Sequence, residues 1–327
     1  MDALSDVLKS VRLEGAVYLN AEFTAPWCVE ARHGIASARK RLPGADHVMF
    51  FHFFAEGGCK VPLEGDKALE VHAGDVLLFP HGDTQLMGSD LRLAPVQAED
   101  LTPIEEGEAG FVRIRHGGGG VATRVICGYL ACSRSLCRPL LEVLPRALRI
   151  PMSGPPGSTL VPDLLKAAVL ESAERQPGAE SMLAKLSELV FVEALRRYVK
   201  DLPPKGRGWL AGVRDVQVGR ALALLHAEPA KPWTVEELAR AVAMSRSALA
   251  ERFASLVGEP PIQYLLRWRL ALAAQALRTA REPLIRVAER AGYESEAAFS
   301  RAFKREFGVP PAAWRRGRVP VSTDAAS

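Results

Sequence analysis

No run of about eighteen consecutive apolar residues, the length a helix needs to cross a bilayer, occurs in this 327-residue chain. Its first ten residues, MDALSDVLKS, lack the basic start and apolar centre of a secretory signal. The chain is therefore expected to stay in the cytoplasm and to use no membrane. Cysteine is scarce, with five residues: Cys28, Cys59, Cys127, Cys132 and Cys137. An odd number in a cytoplasmic chain argues against a disulfide framework. The even spacing of the last three fits neither a CxxC zinc knuckle nor one face of a helix or strand. Catalytic signatures are missing as well: there is no G-x-S-x-G, no nucleotide-binding loop and no zincin motif. The glycine run at residues 117–120 is not followed by a helix start with Lys-Ser/Thr, so it is read as a mobile hairpin turn. The chain is expected not to be an enzyme and to need no cofactor.

An excess of charge of one sign is missing overall, since the net charge is only +4. Its distribution is uneven. Residues 209–318 carry 18 Lys+Arg against 11 Asp+Glu, whereas residues 1–208 carry 24 against 26. A basic C-terminal part beside a slightly acidic N-terminal one suits a phosphate-facing module joined to a sensing module. Length and a 48% hydrophobic composition suit two cores.

The clearest pattern lies in residues 232–316. VEELARAVAMSRSALAERFASLVGEPP can be laid over IRVAERAGYESEAAFSRAFKREFGVPP, and such self-similarity marks one structural unit used twice. Each copy has a short apolar-periodic helix, a tight turn, a second helix opening at a serine, and a Gly-x-Pro-Pro stop. In the first, Thr234 and Glu237 have capping-box spacing, and Leu238, Ala239 and Val242 form the apolar face. Met244 and Ser245 make the turn, Leu249, Phe253 and Leu256 are buried, and Gly258 with Pro260-Pro261 ends the unit. In the second, Ile285, Val287, Ala288 and Ala291 precede a turn at Gly292, and Ser295 caps a helix striped by Phe299, Phe303 and Phe307. Arg301, Lys304 and Arg305 lie off that stripe. Leu265, Leu266, Leu270 and Leu272 make residues 262–277 a connecting helix that also bears Arg267 and Arg269. A helix-turn-helix sets its second helix in the DNA major groove. Two of them on one rigid helix would offer two reading helices to successive grooves.

The AxxxxMSxSxLxxxF-like pattern at 239–253 and GYESEAAFSRAFKREFGVPPAAWRR at 292–316 closely resemble the AraC/XylS-type transcription regulators. The resemblance implies a seven-helix DNA-binding domain starting near Val213. It places Arg246, Ser247, Ala250 and Glu251 outward on the first reading helix. On the second it places Glu296, Ala297, Ser300 and Arg301 outward, with Lys304 reaching phosphate. Ala250 and Glu251 are poor donors, so base reading by the first helix is expected to rest on Arg246 and Ser247.

Upstream, residues 2–11 read as an amphipathic helix packing Leu4, Val7 and Leu8, and residues 17–125 read as β-rich, with TRVICGYLAC one more strand. GDVLLFPHG at 74–82 fits the cupin pattern GxxxxxPxG. With MDALSDVL and ICGYLACSRSLCRPLLEVLPRALRI it resembles the cupin-containing, RclR-like branch of the same family. The resulting fold class is α+β multidomain: a cupin-like β-barrel with a helical dimerisation hairpin, then an all-α domain with two helix-turn-helix units. The expected boundaries are 1–150 for the sensing domain, 151–202 for the helical pair, 203–212 for the linker, 213–318 for the DNA-binding domain and 319–327 for a disordered tail. Helices are expected over 163–176 and 180–201. The second carries a broad apolar face of Leu183, Leu186, Leu189, Val190, Phe191, Ala194 and Leu195, fit to cover the barrel's own sheet or to pair with another subunit.

Metal cupins supply an HxH pair, a Glu and a later His. Here His52 and Glu56 stand without a second His at that spacing, Gln85 holds the later position, and His33, His47, His72 and His81 are scattered. His52 and His81 remain the weak metal candidates, and the alternative reading is a metal-binding cupin enzyme fused to a DNA-binding module. The resemblance implies an early cysteine as oxidant sensor, and Cys28 sits there, with Arg32 and His33 near enough to lower its pKa. All five cysteines are sensing candidates, with burial as small hydrophobes the plainer fate. An oxidant and a small molecule in the barrel both stay open as the signal. The expected function is a sequence-specific transcription regulator, an activator by family habit. Its expected partners are double-stranded promoter DNA, RNA polymerase, a second copy of the chain and a small-molecule effector.

Overall fold

A computed structural model describes residues 3–11, 13–32, 46–63, 67–106, 112–152, 160–173, 177–203, 206–279 and 282–317. His33, the loop at 153–159, the linker residues Pro204 and Lys205 and the tail at 319–327 lie outside the described residues. In chain order come α1 (Ala3–Val11), β1 (Glu14–Thr24), β2 (Cys28–Ala31), β3 (His47–Glu56), β4 (Gly58–Pro62), β5 (Ala68–His72) and β6 (Asp75–Phe79). Next are β7 (Gln85–Gly88), β8 (Val96–Gln97), β9 (Pro103–Glu106), β10 (Val112–Gly117), β11 (Ala122–Cys132), α2 (Arg134–Leu141) and β12 (Leu148–Pro151). The rest is helical: α3 (Leu160–Ala173), α4 (Ala179–Asp201), α5 (Trp209–Arg214), α6 (Val216–Ala227), α7 (Val235–Ala241) and α8 (Arg246–Val257). α9 (Pro261–Thr279), α10 (Leu284–Arg290), α11 (Glu296–Phe307) and α12 (Pro311–Arg315) complete the chain. Among the described residues no helix is long and apolar enough to cross a membrane.

Two compact units form, and neither is a continuous stretch of chain. One combines residues 13–132 with 144–201, and the other combines 1–12 and 133–143 with 202–327. The division departs from the linear boundaries expected from sequence. α1 packs on α6, and α2 packs on α5, α9 and α1, so two N-terminal helices belong with the helical unit. α5 begins inside the stretch 203–212 expected to be a linker, and its Trp209 and Leu210 are buried.

In the first unit the strands make a seven-stranded sheet, β12-β6-β3-β11-β1-β10-β9, and a five-stranded sheet, β5-β4-β7-β2-β8. The expected cupin-like β fold is present as these two sheets, which do not close into one continuous barrel. Gly57 and Gly58 show how the chain changes sheet between β3 and β4. Gly57 has φ 68°, and a Cβ there would lie 2.5 Å from the Ala122 carbonyl oxygen, so only glycine makes the corner without strain. β3 is buried on both faces from His47 to Phe54, which is why its sequence alternates only loosely. Phe50, His52 and Phe54 share one face. On the other, Phe51 lies against Gly128, where a Cβ would meet its ring at 2.2 Å.

α4 rests on β1. A Cβ at Gly15 would meet the Ala184 carbonyl oxygen at 2.7 Å, so the glycine admits the helix backbone. Leu183, Leu186, Val190, Phe191, Ala194 and Leu195 are buried within this unit, while Leu189 stays 48% exposed. Most of the apolar stripe thus covers the unit's own sheet. The glycine run differs from expectation too. Gly118 N–H donates to Thr24 O (2.9 Å), Gly119 N–H to Thr24 Oγ1 (2.9 Å) and Gly120 N–H to Ala25 O (2.8 Å). A Cβ at Gly117, Gly118 or Gly120 would collide with residues 24–26, whereas Gly119 has open space around it, so the run is a corner hydrogen-bonded to the end of β1.

The helical unit has two cores. In the first, Trp209 Nε1–H donates to Tyr264 Oη at 2.9 Å, His226 Nε2 lies 2.7 Å from the same hydroxyl, and the His226 ring stands 4.5 Å from Trp268. In the second, Leu270, Ala274, Leu277, Val287 and Ala288 pack with Phe299, Phe303 and Trp314.

Candidate nucleic-acid interface

Each helix-turn-helix is fixed by local hydrogen bonds the sequence encodes. Thr234 Oγ1 accepts from Glu237 N–H at 3.1 Å, and a Glu237 carboxylate oxygen accepts from Thr234 N–H at 3.0 Å, closing the capping box at the start of α7. Ser245 Oγ accepts from Ala248 N–H (3.2 Å) to open α8, and Ser295 Oγ from Ala298 N–H (3.3 Å) to open α11. Both helices stop at a left-handed glycine, Gly258 with φ 93° and Gly308 with φ 77°. Pro261 and Pro311 then open α9 and α12. Each turn contains one left-handed residue, Ala243 (φ 57°) in the first and Gly292 (φ 80°) in the second. Sequence reasoning missed Ala243, because an alanine announces no positive φ.

The residues carried over from the family pattern sit on α8 and α11. Arg246, Ser247, Glu251, Glu296, Ala297, Arg301 and Lys304 are exposed, while Ala250 and Ser300 are half-buried. Arg246 is not idle: its Nε lies 2.8 Å from a Glu236 carboxylate oxygen on α7, with both side chains largely in solvent. Arg301 and Lys304 make no ion pair among the described residues. Other arginines are structural. Arg252 bonds Asp215 (2.6 Å), the N-cap of α6. Burial opposes the charge on Asp215, yet the bonds from Arg252 and Val218 N–H hold its carboxyl below the ordinary range. Arg269, read from sequence only as a cation on the connecting helix, is 8% exposed and donates to the carbonyls of Pro229 and Lys231. Arg138 of α2 joins Glu142 (2.6 Å) and Glu306 of α11 (2.8 Å). Sequence distance gave no signal for that last pair.

In the β-rich unit a cavity of about 160 Å³ lies among Leu19, Phe23, Trp27, Phe54, Met87, Ile114 and their apolar neighbours, with His52 and Cys127 in its wall. His52 Nε2 stands 2.5 Å from Gln85 Oε1, and His52 Nδ1 lies 3.0 Å from Cys127 Sγ. His81 is elsewhere, its Nε2 2.9 Å from the Leu144 carbonyl oxygen. His47 Nε2 faces the Pro80 carbonyl oxygen at 2.6 Å. The two metal candidates are thus not brought together, and among the described residues no three His, Cys, Asp or Glu side chains converge. All five cysteines are buried, and none forms a disulfide. The expected lowering of the Cys28 pKa is reversed. Burial raises it, the carboxylates of Asp90 and Glu30 raise it further, and Arg32 is spent on Glu30 at 2.9 Å. Burial likewise pushes the Cys59 and Cys127 thiols up.

Known proteins resemble this chain along its length. A cupin family model matches residues 2–200 and a helix-turn-helix domain model matches residues 238–317. A putative AraC-like transcription regulator from Streptomyces antibioticus is 33% identical over 98% of this chain and 100% of its own. The HTH-type transcriptional regulator AlkR of Acinetobacter baylyi is 29% identical over 97% of this chain and 99% of its own. The RCS-specific HTH-type transcriptional activator RclR of Escherichia coli is 26% identical over 96% of this chain and 97% of its own.

Proposed function

The chain belongs to the AraC-like transcription regulators, built from an N-terminal cupin domain and a C-terminal helix-turn-helix domain, and within that family we propose that it is a cytoplasmic activator that reads one promoter site through α8 and α11 under control of a small molecule. The observation that supports this most is the duplicated, serine-capped helix pair presenting exposed Arg246 on one copy and Arg301 with Lys304 on the other. Arginine can bond guanine O6 and N7 in the major groove, and lysine neutralises phosphate. Glu236 then holds the Arg246 guanidinium beside its working position and exchanges it for a base edge on binding. RNA polymerase is the partner an activator bound there would recruit. The Escherichia coli relative is itself named a transcriptional activator.

For the signal, a molecule in the β-rich cavity fits better than an oxidised Cys28, whose thiol is buried beside two carboxylates that oppose the reactive thiolate. The chain acts as a homodimer in this reading, through the side of α4 where Met182 (39% exposed) and Leu189 (48%) stay uncovered. A nuclease footprint on the promoter beside the gene is expected to show two protected major-groove segments about 10 base pairs apart per bound chain. Uniform protection without a defined site would overturn the reading. Leu189→Glu is expected to give a monomer in sedimentation, and an unchanged dimer would move the interface elsewhere.

A further inference from the structure

Arg138 stands 168 positions before Glu306 and outside the repeated block, yet it touches the second helix-turn-helix and faces the end of the first. We infer that Arg138 is a positioning residue for DNA reading: its guanidinium fixes the spacing of α8 and α11, so that both reach successive major grooves of one site. The inference rests on the reading that both helices enter DNA.

The two units have equivalent corners. Each reading helix stops at a left-handed glycine, Gly258 after α8 and Gly308 after α11. The direction in which α8 meets the connecting helix α9 is set at the first of these. A Cβ at Gly258 would meet nothing within 4 Å, so side-chain packing at that residue does not brace the corner.

Charge braces it instead. Glu259 follows the first glycine, is 9% exposed, and is bonded by Arg267 of α9. Glu306 precedes the second glycine by two residues. Arg138 Nη1–H donates to a Glu306 carboxylate oxygen at 2.8 Å, and its Nε–H donates to Glu142 at 2.6 Å. Burial opposes the charge on Arg138, and the carboxylates of Glu142, Glu306 and Glu259 more than offset this. Burial likewise raises the Glu259 carboxyl, and Arg267 and Arg138 pull it back. One cation thus faces a carboxylate beside the stop of each reading helix. Its N–H groups form a rigid planar fork, which fixes direction as well as distance.

The helix that carries Arg138 is firmly seated. α2 belongs to the helical unit, although β11 and β12 flank it in the chain. Leu136, Cys137 and Leu140 are buried, and a Cβ at Gly208, the N-cap of α5, would meet Val143 at 2.3 Å. Against α11 the packing is looser. A gap of about 30 Å³, room for a water, is lined by Ser135 and Pro139 of α2, Trp268 of α9 and Phe307 of α11. Apolar contact across a gap is weak, so the register of α2 on α11 falls to the Arg138–Glu306 pair.

Two binding elements held at the right spacing gain an avidity that a loose or mismatched link loses. The test measures affinity of the full-length protein for four duplexes. They are the footprinted site, the same site with one base pair inserted between its protected segments, and two duplexes that each keep one segment. The insertion moves one groove by about 3.4 Å and about a tenth of a turn. Wild type is expected to bind the inserted site about tenfold more weakly than the native one. In Arg138→Met and in Glu306→Gln this ratio should fall about threefold, the scale of a partly exposed ion pair, with single-segment affinities unchanged. The double variant should match either single variant, since both remove one link. Glu306→Gln carries the test by itself where Arg138→Met does not fold. A ratio unchanged in both variants, an equal loss on all four duplexes, or losses that add in the double variant would overturn the role. A wild type that tolerates the insertion overturns it too and leaves the two-segment reading intact. A wild-type footprint of one segment sinks the two-helix reading and this role with it.

Discussion

Ala243 and Gly292 occupy the same place in the two turns, yet only one of them is glycine. Both have a left-handed backbone, φ 57° and φ 80°, which costs an L-residue with a Cβ on the order of 1 kcal/mol. Ala243 is exposed, so its strain buys no packing. Ala243→Gly is expected to stabilise the protein by about 0.5–1 kcal/mol in urea unfolding. Gly292→Ala is expected to cost about 1–3 kcal/mol, because its Cβ would lie 2.6 Å from Arg269 Nη1. That contact would displace a buried guanidinium from the carbonyls of Pro229 and Lys231. The opposite order of effects would mean that the turns do not have these conformations.

At the scale of elements, α6 and α9 meet around His226, whose pKa burial pushes down to about 4 from 6.5. The folded protein then takes up this proton later than the unfolded chain does. Between those two pH values the unfolded state holds more protons, so stability is full above about pH 6.5 and falls as the pH drops towards 4. The loss is roughly 3 kcal/mol by pH 4. Urea unfolding at pH 7 and pH 4.5 should show it in the wild type and show less of it in His226→Gln. Equal slopes would place the histidine in a wetter site. The same elements show what the sequence carried. The helix-turn-helix units were legible because caps, four-residue spacing and glycine stops are local signals, and Thr234, Ser245, Ser295, Gly258 and Gly308 each do what their type favours. The β-rich unit was legible only as strands, because the pairing that orders the sheets is made between distant residues such as Phe54 and Val125. The stripe on α4 left open what it covers, and Gly15 on β1 answers that.

At the scale of the molecule, the helical unit needs chain from beyond its own sequence block. Val7, Val11, Leu136 and Leu140 are buried on helices that pack within that unit. A fragment starting at residue 202 lacks all four. With each buried apolar side chain worth about 1.5–3 kcal/mol, the fragment is expected to unfold at least about 2 kcal/mol more easily than the same unit in the full chain. Tryptophan fluorescence during urea titration would follow it through Trp209 and Trp268, and an equally stable fragment would show that α1 and α2 contribute nothing. Function at this scale rests on two reading helices acting on one site. The most direct test is the ratio of affinities for the footprinted site and a scrambled duplex at one salt concentration, for the wild type and for Arg246→Ala with Arg301→Ala. Loss of each base-reading arginine is worth about 1–3 kcal/mol of specific binding, so the ratio should fall by at least tenfold while binding to the scrambled duplex changes far less. A ratio that stays the same, or affinities that fall equally on both duplexes, would contradict sequence reading by α8 and α11.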